Sequence, residues 1–326
     1  MGYWALVFRS TVRIAAIYLL LPAALFFGAM IMSEEAFGRD GAKGDNADSE
    51  QLKVLTFNIR LDGEMGLPGI IDLIRKSKAD VVGLQESEKN SETIAKELGF
   101  NYTHHGDTTI LTRLKIDSET PNGSGVIAQT DNGAKIAFYD EHLFYKPYQP
   151  YQLLGIPYED GAPIKTEAEA ISEASKSRGA DVSDALKDIQ TVKDASLPAI
   201  VVGDFNEPSH LDWTAAAAKD GRIPTKVEWP STKSFADAGF KDSYREIHPD
   251  VLANPGYTWT PTTKADDPKD HHDRIDFILY RGDGIKASTS QIIGEDAQNA
   301  DIVYTPFPSD HRAVLTTFEI NTPKSH

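Results

Sequence analysis

Residues 199–206 read AIVVGDFN, an apolar run with a glycine that gives way to Asp204 and Asn206. A short, unbroken apolar run bounded by polar residues is the pattern of a strand buried on both faces, and such strands belong inside layered domains. The same form recurs along the chain. KVLTFNI at 53–59 carries Asn58, DVVGLQE at 80–86 ends in Glu86, KIAFYDEHL at 135–143 carries Asp140 to His142, and RIDFILY at 274–280 carries Asp276. SGVIAQT at 124–130 and AVLTTFEI at 313–320 complete the predicted strands.

Between the first two strands, GIIDLIRKSKA places apolar residues at 70, 71, 73, 74 and 79, the spacing of an amphipathic helix. Strand, helix, strand opens the domain. A second helical tract over 165–194 is rich in Ala, Glu, Lys and Ser, and is expected to be a solvated surface element interrupted near Gly179. Strands interleaved with helices over roughly 270 residues predict an α/β domain of more than one layer.

A polar residue at one strand tip is an ordinary solvated end. Several of them at one edge of a sheet converge in space, and SDHR at 309–312, just before the last strand, adds Asp310 and His311. Carboxylates and amides in a chain without cysteine suit a hard divalent cation such as Mg²⁺ or Mn²⁺, which keeps several waters and meets substrate phosphate. Histidines beside carboxylates suit acid and base work near neutral pH. Together these residues describe metal-assisted attack of water on a phosphoester.

The chain has 326 residues, 40% of them hydrophobic, enough for one large domain with a sizeable core. Its formal charge is −16, and setting aside the two arginines of residues 1–32 leaves −18 on the remainder. That charge repels a phosphate backbone at long range and argues against a protein that tracks along DNA, so nucleic acid is expected only as a substrate. With no cysteine, disulfides and thiolate metal sites are excluded.

Ile14–Met32 is nineteen residues without a charge, preceded by Arg9 and Arg13. Residues 1–32 therefore read as an export segment, either a retained membrane anchor or a signal that is removed. As a helix the apolar stretch would be about 28 Å long, near the hydrocarbon thickness of a bilayer. Bulky Phe26 and Phe27 spoil the obvious cleavage sites, which favours the anchor. Residues 33–51 read as a flexible linker, and the folded domain is expected over 52–322 on the extracytoplasmic side.

In chain order, TFNIR (56–60), GLQES (83–87), DEHL (140–143), VVGDFNEP (201–208), DRIDFIL (273–279) and SDHRAV (309–314) resemble the endonuclease/exonuclease/phosphatase superfamily. That superfamily includes pancreatic deoxyribonuclease, abasic-site endonucleases, inositol polyphosphate 5-phosphatases and neutral sphingomyelinases. The resemblance runs from about Leu52 to Ile320. It implies an α/β four-layer sandwich of two packed mixed β-sheets flanked by helices, with the site at one edge. By the same resemblance Glu86 is the principal metal carboxylate, with Asn58 beside it and Asp310 helping to hold metal or water. Asp204 and Asn206 orient the attacking water and hold phosphate. His311 acts as base or transition-state stabiliser, Asp276 fixes its tautomer, and His142 binds phosphate or protonates the leaving oxygen.

Other residues are weaker candidates. Asp140 stands where relatives commonly carry Asn, and Asp140, His105 and His272 are expected to reach substrate, with His271 as an alternative at the mouth. Tyr145, Tyr148 and Tyr151 could line a groove or pack beneath a loop, whereas Trp213 and Trp259 are expected to be packing residues. The expected function is a divalent-metal-dependent extracytoplasmic hydrolase of a small or lipid-linked phosphate mono- or diester, acting as a monomer. A nuclease is the alternative, and a non-catalytic binding member of the fold is a further one.

Overall fold

The computed structural model describes residues 49–159, 161–192 and 196–321. The apolar segment 14–32 and most of the expected linker lie outside the described residues. Among those that are described, no helix is long and apolar enough to cross a membrane.

The first sheet has seven strands: β1 (Ser49–Asn58), β2 (Val81–Gln85), β3 (Asn101–His105), β4 (Thr108–Thr112), β11 (Ile285–Gly294), β12 (Ile302–Val303) and β13 (Ala313–Asn321), in the order β12-β11-β13-β1-β2-β4-β3. The second has six: β5 (Lys115–Glu119), β6 (Gly125–Gln129), β7 (Lys135–His142), β8 (Ala199–Asp204), β9 (Lys241–Asp242) and β10 (Asp276–Arg281), in the order β5-β6-β7-β8-β10-β9. Both mix parallel and antiparallel pairs. β1 begins at Ser49, three residues before the expected start, because Ser49–Gln51 pair with Asn321–Glu319 of β13.

The sheets pack face to face. Val54, Val81 and Ile110 of the first meet Phe138, Ile200, Val202 and Ile278 of the second in one buried cluster. Helices α2 (Leu67–Ser77) and α3 (Ser91–Leu98) cover the outer face of the first sheet, where Ile70, Leu73, Ile74 and Ile94 join Leu55, Phe57 and Leu84. Helices α5 (Glu167–Thr191) and α7 (Pro230–Asp237) cover the second, through Val182, Ala185, Ile189 and Phe235 against Tyr139, Val201 and Phe277. The result is the expected four-layer α/β sandwich. Shorter helical turns, α1 (Arg60–Gly63), α4 (Gln149–Leu154), α6 (Ala215–Lys219) and α8 (Ser243–Ile247), sit in the connections.

α5 departs from expectation. It runs unbroken through Gly179 from a capping box at Thr166 and Glu169, and its inward face is not merely solvated surface, because it buries Arg178 completely.

Register places the polar strand tips together. β1 runs parallel to β2 with Asn58 opposite Gln85, so Asn58 and Glu86 leave at one edge. β7 runs parallel to β8 with His142 opposite Asp204, and β10 starts antiparallel with Asp276 opposite Asp204. The glycine of GDFN is required by this pairing: a Cβ on Gly203 would fall 1.9 Å from the Glu141 carbonyl oxygen. His311 precedes β13, whose Val314 faces Thr56 of β1, so the last motif arrives at the same edge.

Candidate active site

Asp204 is the hub. Its Oδ2 accepts a hydrogen bond from Asn58 Nδ2 (3.0 Å), and its Oδ1 accepts one from the Asn206 backbone N–H (2.8 Å). Two imidazoles flank the same Oδ2, with His142 Nε2 and His311 Nε2 each 3.7 Å away. Asn58 Nδ2 also donates to Glu86 Oε1 (3.1 Å), and the Leu61 backbone N–H donates to Glu86 Oε2 (2.7 Å). Glu86 is thus held by neutral donors alone. Asn206 sits at a positive φ of 49° and its Nδ2 donates to the Leu143 carbonyl (3.0 Å), which fixes the turn after the strand.

Each histidine has its own carboxylate. His311 Nδ1 donates to Asp276 (3.0 Å to Oδ2), and His142 Nδ1 donates to Asp107 Oδ2 (2.7 Å). Each ring therefore turns Nε2 toward Asp204. Burial disfavours the imidazolium in both cases. For His311 the negative charges of Asp276 and Asp204 outweigh it and raise the pKa to about 10. For His142 the Asp107 bond and the Asp204 charge do the same, to about 9. Burial raises Asp204 to about 6, with His311 opposing and Asp276 adding to that rise. The charges of Asp204 and its two histidines thus favour one another, against the burial that opposes each.

Glu86, His142, Asp204, Asn206, Asp310 and His311 line a cavity of about 170 Å³. Tyr145, Tyr148, Tyr158, Trp259 and Ile275 line it as well, with the Trp259 ring 6.4 Å from that of His311. Asp310 is paired with Arg60 Nη1 (2.7 Å), whose Nε donates to Glu64 (2.7 Å).

The family model described as the Endonuclease/Exonuclease/phosphatase family matches residues 55–311. The chain belongs to this family. Its members are metal-dependent hydrolases of phosphoester bonds, and this chain is an enzyme of that class. It is 29% identical over 297 residues to an uncharacterised protein of Caenorhabditis elegans, covering 83% of this chain and 92% of that one. It is 24% identical over 291 residues to exodeoxyribonuclease III of Haemophilus influenzae, covering 82% of this chain and all of that one. Among solved structures, a family member from Bacteroides thetaiotaomicron superposes with a TM-score of 0.50 at 18% identity, covering 84% of this chain and 100% of that one. One from Beutenbergia cavernae gives 0.50 at 15% identity, with 84% and 73% covered. These two likenesses concern the fold.

The donors at this edge fit the family's divalent cation. Glu86 has no Lys or Arg partner among the described residues, and the oxygens offered by Glu86, Asp204 and Asp310 are hard ligands. Asp204, Asp276 and His311 could also each bring one ligand atom within 4.8 Å of the others, but the Asp276–His311 bond already occupies that pair. Asn58 joins the expected metal carboxylate to the hub. Its Oδ1 accepts from the Arg60 N–H (2.9 Å) and its Nδ2 bridges Glu86 and Asp204, so it positions both carboxylates.

The weaker family-site candidates do not reach the cavity. Asp140 points between the sheets, where Gln85 Nε2 donates to it (2.6 Å) and burial raises its pKa well above the usual range. Position along β7 explains this, since Asp140 and His142 occupy one face but only the tip residue clears the sheet edge. His105 lies exposed on the edge strand β3, and its nearest feature is the turn at Gly123. His272 is buried beside Thr263 (3.0 Å) and Tyr257, and His271 packs against Trp213. Of the three predicted tyrosines, Tyr145 and Tyr148 line the cavity, while Tyr151 packs edge to face on Tyr148, which also donates to Asp273.

Sequence reading missed Asp107, Trp259 and Arg178. Asp107 follows the His104–His105 pair in a turn and carries no motif of its own, while the sequence predicts only packing for Trp259. Arg178 gives no signal within a charged helix.

Proposed function

We propose that this enzyme hydrolyses a small or lipid-linked phosphate mono- or diester on the extracytoplasmic side, with Mg²⁺ or Mn²⁺ held by Glu86 and Asp310. The carrying observation is the cavity's composition. Charged groups share its lining with Tyr145, Tyr148, Tyr158 and Trp259, and among the described residues no lysine or arginine lines it. Such a pocket suits an apolar or aromatic group esterified to a single phosphate better than a polyanion. The apolar segment Ile14–Met32 supports the location.

The residues divide the reaction as follows. Asp204, ionised and fixed by Asn58 and Asn206, takes a proton from the attacking water as its oxygen bonds to phosphorus. His311, held charged by Asp276, donates Nε2–H to a non-bridging phosphate oxygen. His142, held charged by Asp107, gives its Nε2 proton to the oxygen that departs as the phosphorus–oxygen bond breaks. The divalent cation, when bound, neutralises phosphate charge as a Lewis acid.

A panel of aryl phosphates, sphingomyelin, inositol phosphates and plasmid DNA, run with Mg²⁺ or Mn²⁺, tests this reading. An aryl or lipid ester is expected to be the fastest substrate, and EDTA is expected to abolish turnover. Cleavage of DNA alone would favour the nuclease reading, to which the likeness to exodeoxyribonuclease III points. No cleavage of any member would favour a non-catalytic role.

A further inference from the structure

We propose that the rim of the cavity is a docking surface for a zwitterionic lipid assembly, from which the scissile phosphoester is presented. This rests on the reading of an apolar or lipid-linked substrate above. Four of the large exposed apolar residues belong to the two loops that carry the site. Leu61 (61% exposed) and Met65 (43%) follow Asn58 and Arg60, and Phe144 (47%) and Tyr145 (40%) follow His142. Single exposed apolar side chains are ordinary, but a group flanking a reaction cavity marks an interaction surface.

Neither loop is free to fold these side chains away. Arg60, Leu61 and Asp62 all have positive φ (51°, 43° and 62°), a conformation that non-glycine residues seldom adopt. Hydrogen bonds hold it: the Leu61 N–H donates to Glu86 Oε2, the Asp62 N–H to the Glu86 carbonyl, and the Lys89 N–H to Asp62 Oδ1. The backbone that grips the principal metal carboxylate thereby fixes Leu61 in water. On the other flank, the Phe144 N–H donates to Asp181 (3.1 Å) and its carbonyl accepts from buried Arg178 (3.1 Å). The Phe144 ring lies 5.4 Å from that of Tyr145, which continues into the cavity.

Charge selects the occupant. The rim's cations each face a carboxylate: Arg60 with Asp310 and Glu64, Lys89 with Asp62, and Lys146 with Glu159. With a formal charge of −16 on the chain, nucleic acid and strongly anionic membranes are repelled. An uncharged or zwitterionic surface remains, into which Leu61, Met65 and Phe144 can bury apolar area while the aromatic wall receives the substrate.

The test compares the full wild-type chain with the double variant Met65→Ser/Phe144→Ser, which replaces two exposed side chains of the rim and none that holds a catalytic group. Two substrates are run with Mg²⁺: phosphatidylcholine in non-ionic detergent micelles, and a soluble aryl phosphodiester. The variant is expected to lose at least about fivefold on the micellar lipid and to stay within about twofold on the soluble ester. Adding phosphatidylserine to the micelles is expected to slow the wild type. Docking is overturned if the two rates fall together or if neither falls. If wild type cleaves the soluble ester but not the micellar lipid, docking fails and the small-ester reading stands. If only DNA is cleaved, both fail.

Discussion

Replacing His311 with alanine is expected to lower kcat by at least about a hundredfold, the range for loss of a group that acts on protons or charge in the transition state. Geometry sets its part. Nδ1 is bound to Asp276 and Nε2 faces Asp204, and the two carboxylates outweigh burial and keep the ring charged to about pH 10. The rate is therefore expected to hold through neutral pH and fall on the alkaline side, as the charge on His311 and then its hydrogen bond to phosphate are lost. Asp204 as base is expected to give an acid limb near pH 6 and His142 as acid an alkaline fall near pH 9, so the part of His311 is read from His311→Gln, whose uncharged amide is expected to lower the rate across the whole profile while leaving both of those limbs in place. The same shift acts on stability. The folded pKa lies above the unfolded value of about 6.5, so the contribution is complete below that value and is lost as pH rises toward about 10. Urea unfolding of wild type between pH 7 and 10 is expected to show this decline, and a flat profile would contradict it.

The second large effect is expected far from the reacting atoms. Arg178 and Glu207 form an ion pair with both side chains fully buried, Nε to Oε2 at 3.1 Å. Arg178 also donates to the carbonyls of Phe144 and Pro147 and to Gln149 Oε1, and Glu207 Oε1 accepts from the Ser231 N–H (2.7 Å). One guanidinium thus ties α5 to the loop after GDFN and to the aromatic loop at the cavity mouth. Removing one member of such a pair strands a buried charge, so Arg178→Met is expected to lower the unfolding free energy by about 3–5 kcal/mol. Arg178→Met/Glu207→Leu should recover much of that loss, since replacing both partners leaves no orphaned charge. Equal destabilisation in the single and double variants would show that the carbonyl contacts, rather than the pair, carry the effect.

Much of the site is legible in the sequence because its residues sit at the ends of continuous apolar runs. Asn58, Glu86, His142, Asp204, Asp276 and His311 all stand at or beside such ends, and register brings all of them to one edge. The illegible residues share a different character. Asp107 acts only because a turn between β3 and β4 swings it to His142, and Arg178 only because the inward face of α5 meets two loops. Asp140, although next to the right motif, lies two residues short of the strand tip on the same face as His142, so the facing sheet buries it. Trp259 packs against Tyr148 and Tyr151 as the sequence suggests, and it also lines the cavity, which only the fold reveals.

What the sequence determined by itself is an α/β domain of more than one layer and the donor types, because apolar runs and polar tips are local properties of the chain, while the four-layer sandwich is implied by the resemblance of its motifs to the family. What only the tertiary structure decided is which histidine answers to which carboxylate, the charge each group carries, and which apolar side chains are left in water beside the cavity. Those depend on distances between segments as far apart as Asn58 and Asp204, or Arg60 and Asp310. A through-space Coulomb interaction is set by such distances and by burial, and neither is written in the order of residues.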